Sequence, residues 1–209
     1  MKTTLKLILF LLVITLTVLA CSFGAGEGNI LYEDDFSNDS SGWDMYSDSE
    51  GTTEYSDGVY RISINTESMF YWANPYEKFD DVIVEVTANK SSGGDDMQYG
   101  IICRHADIDN WYALIITADG YAAIRKRFQG SDLDFITDFV EAPSVNTGSA
   151  TNTLRAECVG SRLSLFVNGE LAIETNDSDI SSGDVGLMAG TFAQPFAEAL
   201  FDNFAVRKP

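Results

Sequence analysis

Aromatic side chains are concentrated in and beside several apolar stretches of the chain, where they could stack on sugars. Eight of them stand out: Phe70, Tyr71, Trp72, Tyr76, Tyr99, Trp111, Tyr112 and Tyr121. Sugar rings have apolar C–H faces that stack on aromatic rings, while Arg, Asp and Asn side chains can hydrogen-bond the hydroxyls. Trp72, Arg104, Trp111 and Tyr112 are therefore candidate ligand-binding residues. Alternate residues of a strand point to opposite faces, so half or more of these rings could instead fill a core.

Residues typical of catalytic and metal sites are sparse. His105 is the only histidine, which excludes a multi-histidine metal site, and any Ser-His-Asp triad would have to use it. We interpret it as a polar residue at a strand end. The sequence has no C-x-x-C pair, P-loop or G-x-G-x-x-G motif, and it predicts no catalytic residue.

The charge balance is strongly acidic. The 209 residues include 13 Lys and Arg against 32 Asp and Glu, a formal net charge of −19. Nucleic-acid binding is excluded, because phosphate recognition needs clustered basic residues, and the short run 125–127 (RKR) would be split across two faces of a strand. With 45% hydrophobic residues the chain can build a packed core, and its length suits one domain or two small ones.

The first twenty residues have the features of an export signal. Lys2 and Lys6 precede an apolar stretch at 7–19, which is too short to span a bilayer comfortably. The stretch ends in 18–21 (VLAC), which resembles the lipobox of bacterial lipoproteins, in which the cysteine becomes the acylated N-terminus. This resemblance implies lipidation at Cys21 and a membrane association through lipid, on the extracytoplasmic side. An ordinary secretory signal is the alternative.

Cleavage at this site changes both the charge and the cysteine count. Residues 1–20 carry two lysines and no acid, so the remaining 189 residues have a net charge of −21. With Cys21 as the anchor, Cys103 and Cys158 remain, and an exported protein sits where disulfides persist. We predict that these two are bonded, with two separate buried thiols as the alternative.

The sequence pattern of the rest of the chain predicts an all-β structure. Residues 21–29 are small and Gly-rich, typical of a flexible tether, and 30–209 form a single predicted domain. Short apolar or alternating runs predict strands at 59–64, 82–88, 99–105, 111–117, 121–126, 153–159, 163–167, 170–174, 185–189 and 199–206. Asn168-Gly169 and Asp119-Gly120 are hairpin signals, and Asp57-Gly58 marks a third turn.

Several segments resemble, in order, concanavalin A-like lectin/glucanase domains of the LamG-like and 3-keto-disaccharide hydrolase-like kind. These segments are 99–104 (YGIICR), 109–112 (DNWY), 119–121 (DGY), 152–154 (NTL), 160–169 (GSRLSLFVNG), 183–187 (GDVGL) and 201–204 (FDNF). The resemblance covers 34–206. It implies an antiparallel β-sandwich jelly roll with one concave sheet, in which the strands of the two cysteines could be neighbours and the terminal strands would lie together.

The resemblance also bears on metals and catalysis. Related jelly rolls often hold a structural calcium ion, and Asp34, Asp35 and Asp202 are candidate ligands for one, although an acidic solvated surface is the alternative. Retaining glucanases of this kind carry paired carboxylates in an E-x-D-x-(x)-E pattern, which this sequence lacks. The segment 132–134 (DLD) has no flanking glutamates, and we interpret it as a polar loop.

We therefore predict an exported, lipid-anchored, non-catalytic module that binds glycan or another cell-surface ligand and needs no cofactor beyond a possible calcium ion. One alternative is a glycoside-active enzyme of the 3-keto-disaccharide hydrolase kind. The other is an envelope protein whose sandwich docks a surface protein. The expected location is the cell envelope, with the membrane as a partner through the lipid.

Overall fold

A computed structural model describes residues 29–209, all of which lie in strands, turns or loops, without an α-helix in that range. The predicted signal peptide, Cys21 and all of the predicted tether except Asn29 lie outside the described residues. The strands are β1 (Ile30–Asp34), β2 (Tyr46–Ser47), β3 (Gly51–Ser56), β4 (Val59–Ile64), β5 (Phe70–Ala73), β6 (Lys78–Phe79), β7 (Val82–Ser92), β8 (Gln98–Asp107), β9 (Asn110–Thr117), β10 (Tyr121–Arg127), β11 (Asp134–Phe135), β12 (Val140–Glu141), β13 (Asn152–Val159), β14 (Arg162–Val167), β15 (Glu170–Asn176), β16 (Gly183–Gly190) and β17 (Ala197–Arg207).

These strands form two antiparallel sheets that pack face to face, which confirms the predicted all-β sandwich. Sheet 1 has the order β15-β14-β13-β7-β17-β4-β3-β2, with β1 also paired to β17. Sheet 2 has the order β11-β10-β9-β8-β16-β5, with β12 on β10 and β6 on β16. Neighbours far apart in sequence, such as β7 and β17, make this a jelly-roll arrangement rather than a simple meander.

The main core lies between the sheets, and its residues come from the alternation that the sequence shows. In β7, Val82, Val84 and Val86 are buried while the residues between them are half-buried, so one face of sheet 1 meets the core. β9 differs because seven of its eight residues are buried, so both of its faces are covered.

The predicted turns explain two of the hairpins. Asn168 and Gly169 have φ values of 52° and 88°, and Asp57 and Gly58 have 52° and 82°, so both pairs lie in the left-handed region that a type I′ turn needs. Gly120 also has a positive φ, at 101°, but the connection from β9 to β10 is longer than two residues.

The predicted disulfide is confirmed: Cys103 and Cys158 are bonded, 55 positions apart in the sequence. The two cysteines lie on β8 of sheet 2 and β13 of sheet 1, so they face each other across the core rather than on neighbouring strands of one sheet. The bond therefore ties the two layers of the sandwich together.

The first and last strands lie side by side, as the resemblance implies. Ile30 of β1 is opposite Arg207 of β17, and Asp34 is opposite Phe204. The chain therefore enters the domain next to the point where its last strand ends. Among the described residues, no helix has the length and apolar character that crossing a membrane requires.

A second, smaller group of buried side chains covers the outer face of sheet 2. This outer cluster consists of Ile102, Trp111, Ala113, Ile115, Ala123, Leu133 and Met188, with Phe70 and Trp72 packed against it. It arises because β9 is apolar on both faces: Tyr112, Leu114 and Ile116 point to the core, and the residues between them point outward. The outer cluster is the base on which the candidate site rests.

Candidate functional site

A groove of about 350 Å³ opens beside the outer cluster, at the end of sheet 2 where β8 finishes and β16 begins. Its walls combine aromatic rings, carboxylates and other polar groups: Asp44, Trp72, Asn74, Tyr76, Glu77, Lys78, His105, Ala106, Asp107 and Asp184. The volume lies toward the lower end of the range of about 300–1,000 Å³ found for small-molecule sites. The groove can therefore hold a short saccharide.

Stacked rings form the inner wall of the groove. The centroid of the Trp72 ring lies 5.7 Å from that of Trp111 and 6.4 Å from that of His105. Phe70 extends the stack, at 5.9 Å from Trp72. Trp111 is fully buried beneath the others, whereas Trp72 is only partly covered and lines the open space. The buried rings fix the plane that Trp72 presents.

Tyr76 forms the opposite side and is 74% exposed. Its backbone has a φ of 62°, a region that non-glycine residues rarely adopt and that usually needs local support. The support comes from Asp44, which accepts a hydrogen bond from the Tyr76 hydroxyl and whose other carboxylate oxygen accepts one from the Asn74 backbone, at 3.3 Å. The Asn74 side chain in turn donates to the Val185 carbonyl at 2.6 Å, so the ring of Tyr76 is held over the groove from β16.

Asp184 is the most perturbed carboxyl group in the groove. It is half-buried, and this burial raises its pKa to about 6. One of its oxygens accepts backbone hydrogen bonds from Glu77, at 3.0 Å, and from Val185, at 2.8 Å. These bonds favour the ionised form but do not offset the loss of water. Asp184 is therefore ionised at neutral pH and gains a proton in mildly acidic solution.

His105 adds no positive charge at neutral pH. Burial against the rings of Trp72 and Trp111 lowers its pKa, and its Nε2 atom is buried with no hydrogen-bond partner among the described residues. The neutral imidazole therefore behaves as part of the aromatic wall.

Arg104 does not line the groove, although the sequence made it a candidate ligand contact. If side chains alternated regularly along β8, Arg104 would lie on the outer face of sheet 2 with Ile102. Instead the backbone of Arg104 has a φ of 54°, which forms an irregularity in β8. Arg104 therefore points inward, and His105 lies on the outer face. Its guanidinium donates to the backbone carbonyls of Ile180, at 3.0 Å, and Gly160, at 2.7 Å, and to Asp81 at 3.2 Å. It is 1% exposed and ties the two sheets together at this end.

Tyr112 also points away from the groove, into the core. Its hydroxyl donates to Asp177 and accepts a hydrogen bond from the Ile180 backbone at 3.1 Å. Of the four candidate ligand contacts, the structure therefore places Trp72 at the groove and Trp111 directly beneath it, while Arg104 and Tyr112 are buried elsewhere.

The three candidate calcium ligands lie near the paired terminal strands but make local hydrogen bonds. Asp34 accepts from the Phe36 backbone at 2.8 Å, and Asp35 accepts from the Ser37 backbone at 3.1 Å. Asp202 accepts from the backbone of the next residue at 2.7 Å. In residues 29–209 no group of three or more His, Cys, Asp or Glu side chains is arranged to hold a metal ion. A calcium ion at these carboxylates stays a prediction.

Sequence reasoning missed most of the groove. Tyr76, Asp44 and Asp184 are far apart in the chain, and no spacing rule joins them. One signal was available, because the aromatic run 70–72 (FYW) is followed directly by Asn74, Pro75 and Tyr76, a polar turn that carries an exposed ring.

Comparison with known proteins gives a consistent picture of the fold. No protein-family model matches the chain, and a search of the curated proteins found no match. Among solved structures, a carbohydrate-binding module, CBM66 from Bacillus subtilis, matches with a TM-score of 0.65 and 19% identity, over 80% of this chain and 96% of the module.

Two enzymes also match. The β-glucanase of Bacillus licheniformis has a TM-score of 0.61 and 12% identity, over 85% of this chain and 98% of the enzyme. The laminarinase of Flavobacterium sp. UMI-01 has a TM-score of 0.60 and 10% identity, over 86% of this chain and 100% of the enzyme. Together with the two packed antiparallel sheets, these matches show that the chain has the concanavalin A-like jelly-roll fold.

Proposed function

We propose that this chain is an exported, lipid-anchored, non-catalytic module that binds glycan in the groove. The observation that carries this proposal is the pair of rings, Trp72 and Tyr76, that face an open groove whose remaining walls are mostly carboxylates and an amide. The rings offer flat apolar surfaces to the C–H faces of a sugar, and the oxygens of Asp44, Glu77 and Asp107 can accept hydrogen bonds from its hydroxyls.

The preorganisation of these groups supports binding. Trp72 rests on buried Trp111, and the hydroxyl of Tyr76 is tied to Asp44, so neither ring loses much freedom when a ligand arrives. The likeness of the fold to a carbohydrate-binding module agrees with this role.

The proposed location rests on the sequence signal at 1–21 and agrees with the bond between Cys103 and Cys158, since disulfides persist outside the cytoplasm. The partners of the module are then the membrane, through acyl chains on Cys21, and a polysaccharide in the groove. Replacing Cys21 by Ala should move the protein from the membrane fraction to the soluble fraction. Retention of the variant in the membrane fraction would contradict lipid anchoring.

Glycan binding can be tested by affinity electrophoresis of the full chain, in detergent, through gels that each contain a single polysaccharide, either neutral or amino-bearing. At least one polysaccharide should retard the wild-type protein, and Trp72→Ala should lose about five- to tenfold in affinity because it removes a stacking surface. Phe196→Ala is the matched control, since Phe196 is an exposed ring outside the groove. The proposal fails if no polysaccharide retards the wild type, or if both variants migrate alike. A stoichiometric protein partner without glycan binding would favour the docking alternative.

Asp184 favours a second candidate, the glycoside-active enzyme. A half-buried carboxyl group whose pKa lies at about 6 keeps its proton into the mildly acidic range, which suits a general acid. Catalysis would be established if the wild type hydrolyses a glycoside and Asp184→Asn does not, provided that the variant unfolds at the same urea concentration as the wild type. Binding without release of any sugar product would leave the non-catalytic module.

A further inference from the structure

We propose that the groove selects oligosaccharides that carry free amino groups, such as oligomers of glucosamine, and rejects acidic ones. This inference rests on the proposed function, because it names the class of sugar that the same groove takes. It comes from the charges that line the groove, from the exposure of two of them, and from the rings beside them.

The charge of the groove is negative. Four carboxylates, those of Asp44, Glu77, Asp107 and Asp184, face the space together with one ammonium group, that of Lys78. His105 is neutral because burial lowers its pKa. The groove therefore repels uronic-acid and sulfated sugars, and the net charge of −21 on residues 21–209 adds to that repulsion at low ionic strength.

The four carboxylates divide into two pairs with different tasks. Asp44 and Asp184 are half-buried and already accept hydrogen bonds within the protein. Asp44 accepts from the Tyr76 hydroxyl and the Asn74 backbone, and Asp184 accepts from two backbone amides. Glu77 is exposed at the rim, and so is Asp107, which accepts from the Asp109 backbone at 2.9 Å. Rim carboxylates can meet an ammonium group without a large desolvation cost, because both partners keep contact with water.

The rings add to the attraction for a cation. An ammonium group within about 6 Å of a ring centroid is drawn to the face of an indole or phenol ring. The rings of Trp72 and Tyr76 both line the groove, where an ammonium group can approach them. An amino sugar can place its apolar C–H face on one ring and its ammonium group between a ring and a rim carboxylate. A neutral sugar can stack in the same way and donate its hydroxyls to the rim carboxylates, but it brings no charge to these contacts.

The test is isothermal titration of the full chain with three hexasaccharides at low ionic strength: the glucosamine oligomer, its N-acetylated form and the galacturonic acid oligomer. We expect the glucosamine oligomer to bind at least about fivefold more tightly than the acetylated form, and the galacturonate oligomer to bind most weakly of the three. In the double variant Glu77→Gln/Asp107→Asn the affinities for the glucosamine oligomer and its acetylated form should become equal, because the amide oxygens still accept hydrogen bonds from the hydroxyls of both oligomers but carry no charge. Asp138→Asn is the matched control, an exposed acid outside the groove whose loss should change neither affinity.

The outcomes separate this inference from the proposed function. Equal affinity for the amino and acetylated oligomers overturns the inference and leaves a glycan-binding groove, as does tighter binding of the galacturonate oligomer. A lysine hexapeptide that binds as tightly as the glucosamine oligomer also overturns it, because that result would reflect attraction to any polycation. If none of the three saccharides binds, the inference fails, and the polysaccharide gels decide the proposed function separately.

Discussion

Reduction of the disulfide should destabilise the fold by a large and calculable amount. The bond between Cys103 and Cys158 closes a loop of 55 positions, from β8 in sheet 2 to β13 in sheet 1. In the chain-entropy model a loop of this length restricts the unfolded chain by about 4 kcal/mol, a sizeable part of the 5–15 kcal/mol that stabilises a typical domain. The reduced thiols stay buried in the core, so little native packing is lost and the effect acts through the unfolded state.

The measurement is urea unfolding followed by tryptophan fluorescence, with and without a phosphine reductant. We expect the reductant to lower the free energy of unfolding of the wild type by about 4 kcal/mol. The double variant Cys103→Ala/Cys158→Ala should unfold at lower urea in both conditions and should not respond to the reductant. The reasoning is refuted if the oxidised and reduced wild type unfold at the same urea concentration. It is also refuted if thiol titration of the unreduced, denatured protein finds both thiols free.

Four further predictions concern the groove and the strands around it. Asp184, whose pKa burial raises to about 6, should favour binding of the glucosamine oligomer only where it is ionised. In titration calorimetry between pH 5 and 7 the affinity advantage of the wild type over Asp184→Asn should therefore shrink as the pH falls, because protonation of the sugar's own amino groups affects both proteins alike; an advantage that does not change with pH would contradict this role. The same raised pKa means that Asp184 stabilises the fold most at low pH, and that its contribution is lost as the pH rises from about 4 to about 6. Arg104→Met should lower the free energy of unfolding by at least about 2 kcal/mol in urea, because the buried Ile180 carbonyl and the partly buried Gly160 carbonyl lose their donor; an unchanged midpoint would contradict this role. Gly100→Ala should destabilise by at least about 2 kcal/mol, because a Cβ atom there would lie 2.2 Å from the Leu114 carbonyl oxygen; wild-type stability in the same assay would show that β9 can move aside.

The sequence predicted the long strands well because they contain runs of apolar residues or alternate with a period of two. The runs at 59–64 and 121–126 coincide with β4 and β10 to within one residue, and two of the marked turns adopt the positive φ values expected of them. Strands without that pattern were missed. β3 consists largely of small and polar residues, and its place comes from pairing with β4 rather than from an apolar face of its own.

The site was less predictable for a physical reason. The groove joins three separate segments around β5, β8 and β16, and only the packing of sheet 2 brings them together. Trp72 lies at the groove, but Arg104 does not, because one residue with a left-handed backbone reverses the order of faces in β8. A local irregularity of this kind has no signature in residue type, since arginine rarely adopts that conformation.

If Cys21 carries the proposed lipid, the pairing of the terminal strands sets the height of the groove above the membrane surface. His105 lines the groove, and its neighbour Arg104 bonds to Asp81, which lies just before β7. This end of β7 pairs with β17 near Arg207, and Arg207 lies opposite Ile30 of β1. The groove thus shares an end of the sandwich with the point where the proposed tether would attach. Nine residues from 21 to 29 reach at most about 30 Å when fully extended. A sugar chain in the groove would then be held in the layer next to the membrane, approached from the side, while the opposite end of the sandwich faces the surrounding medium.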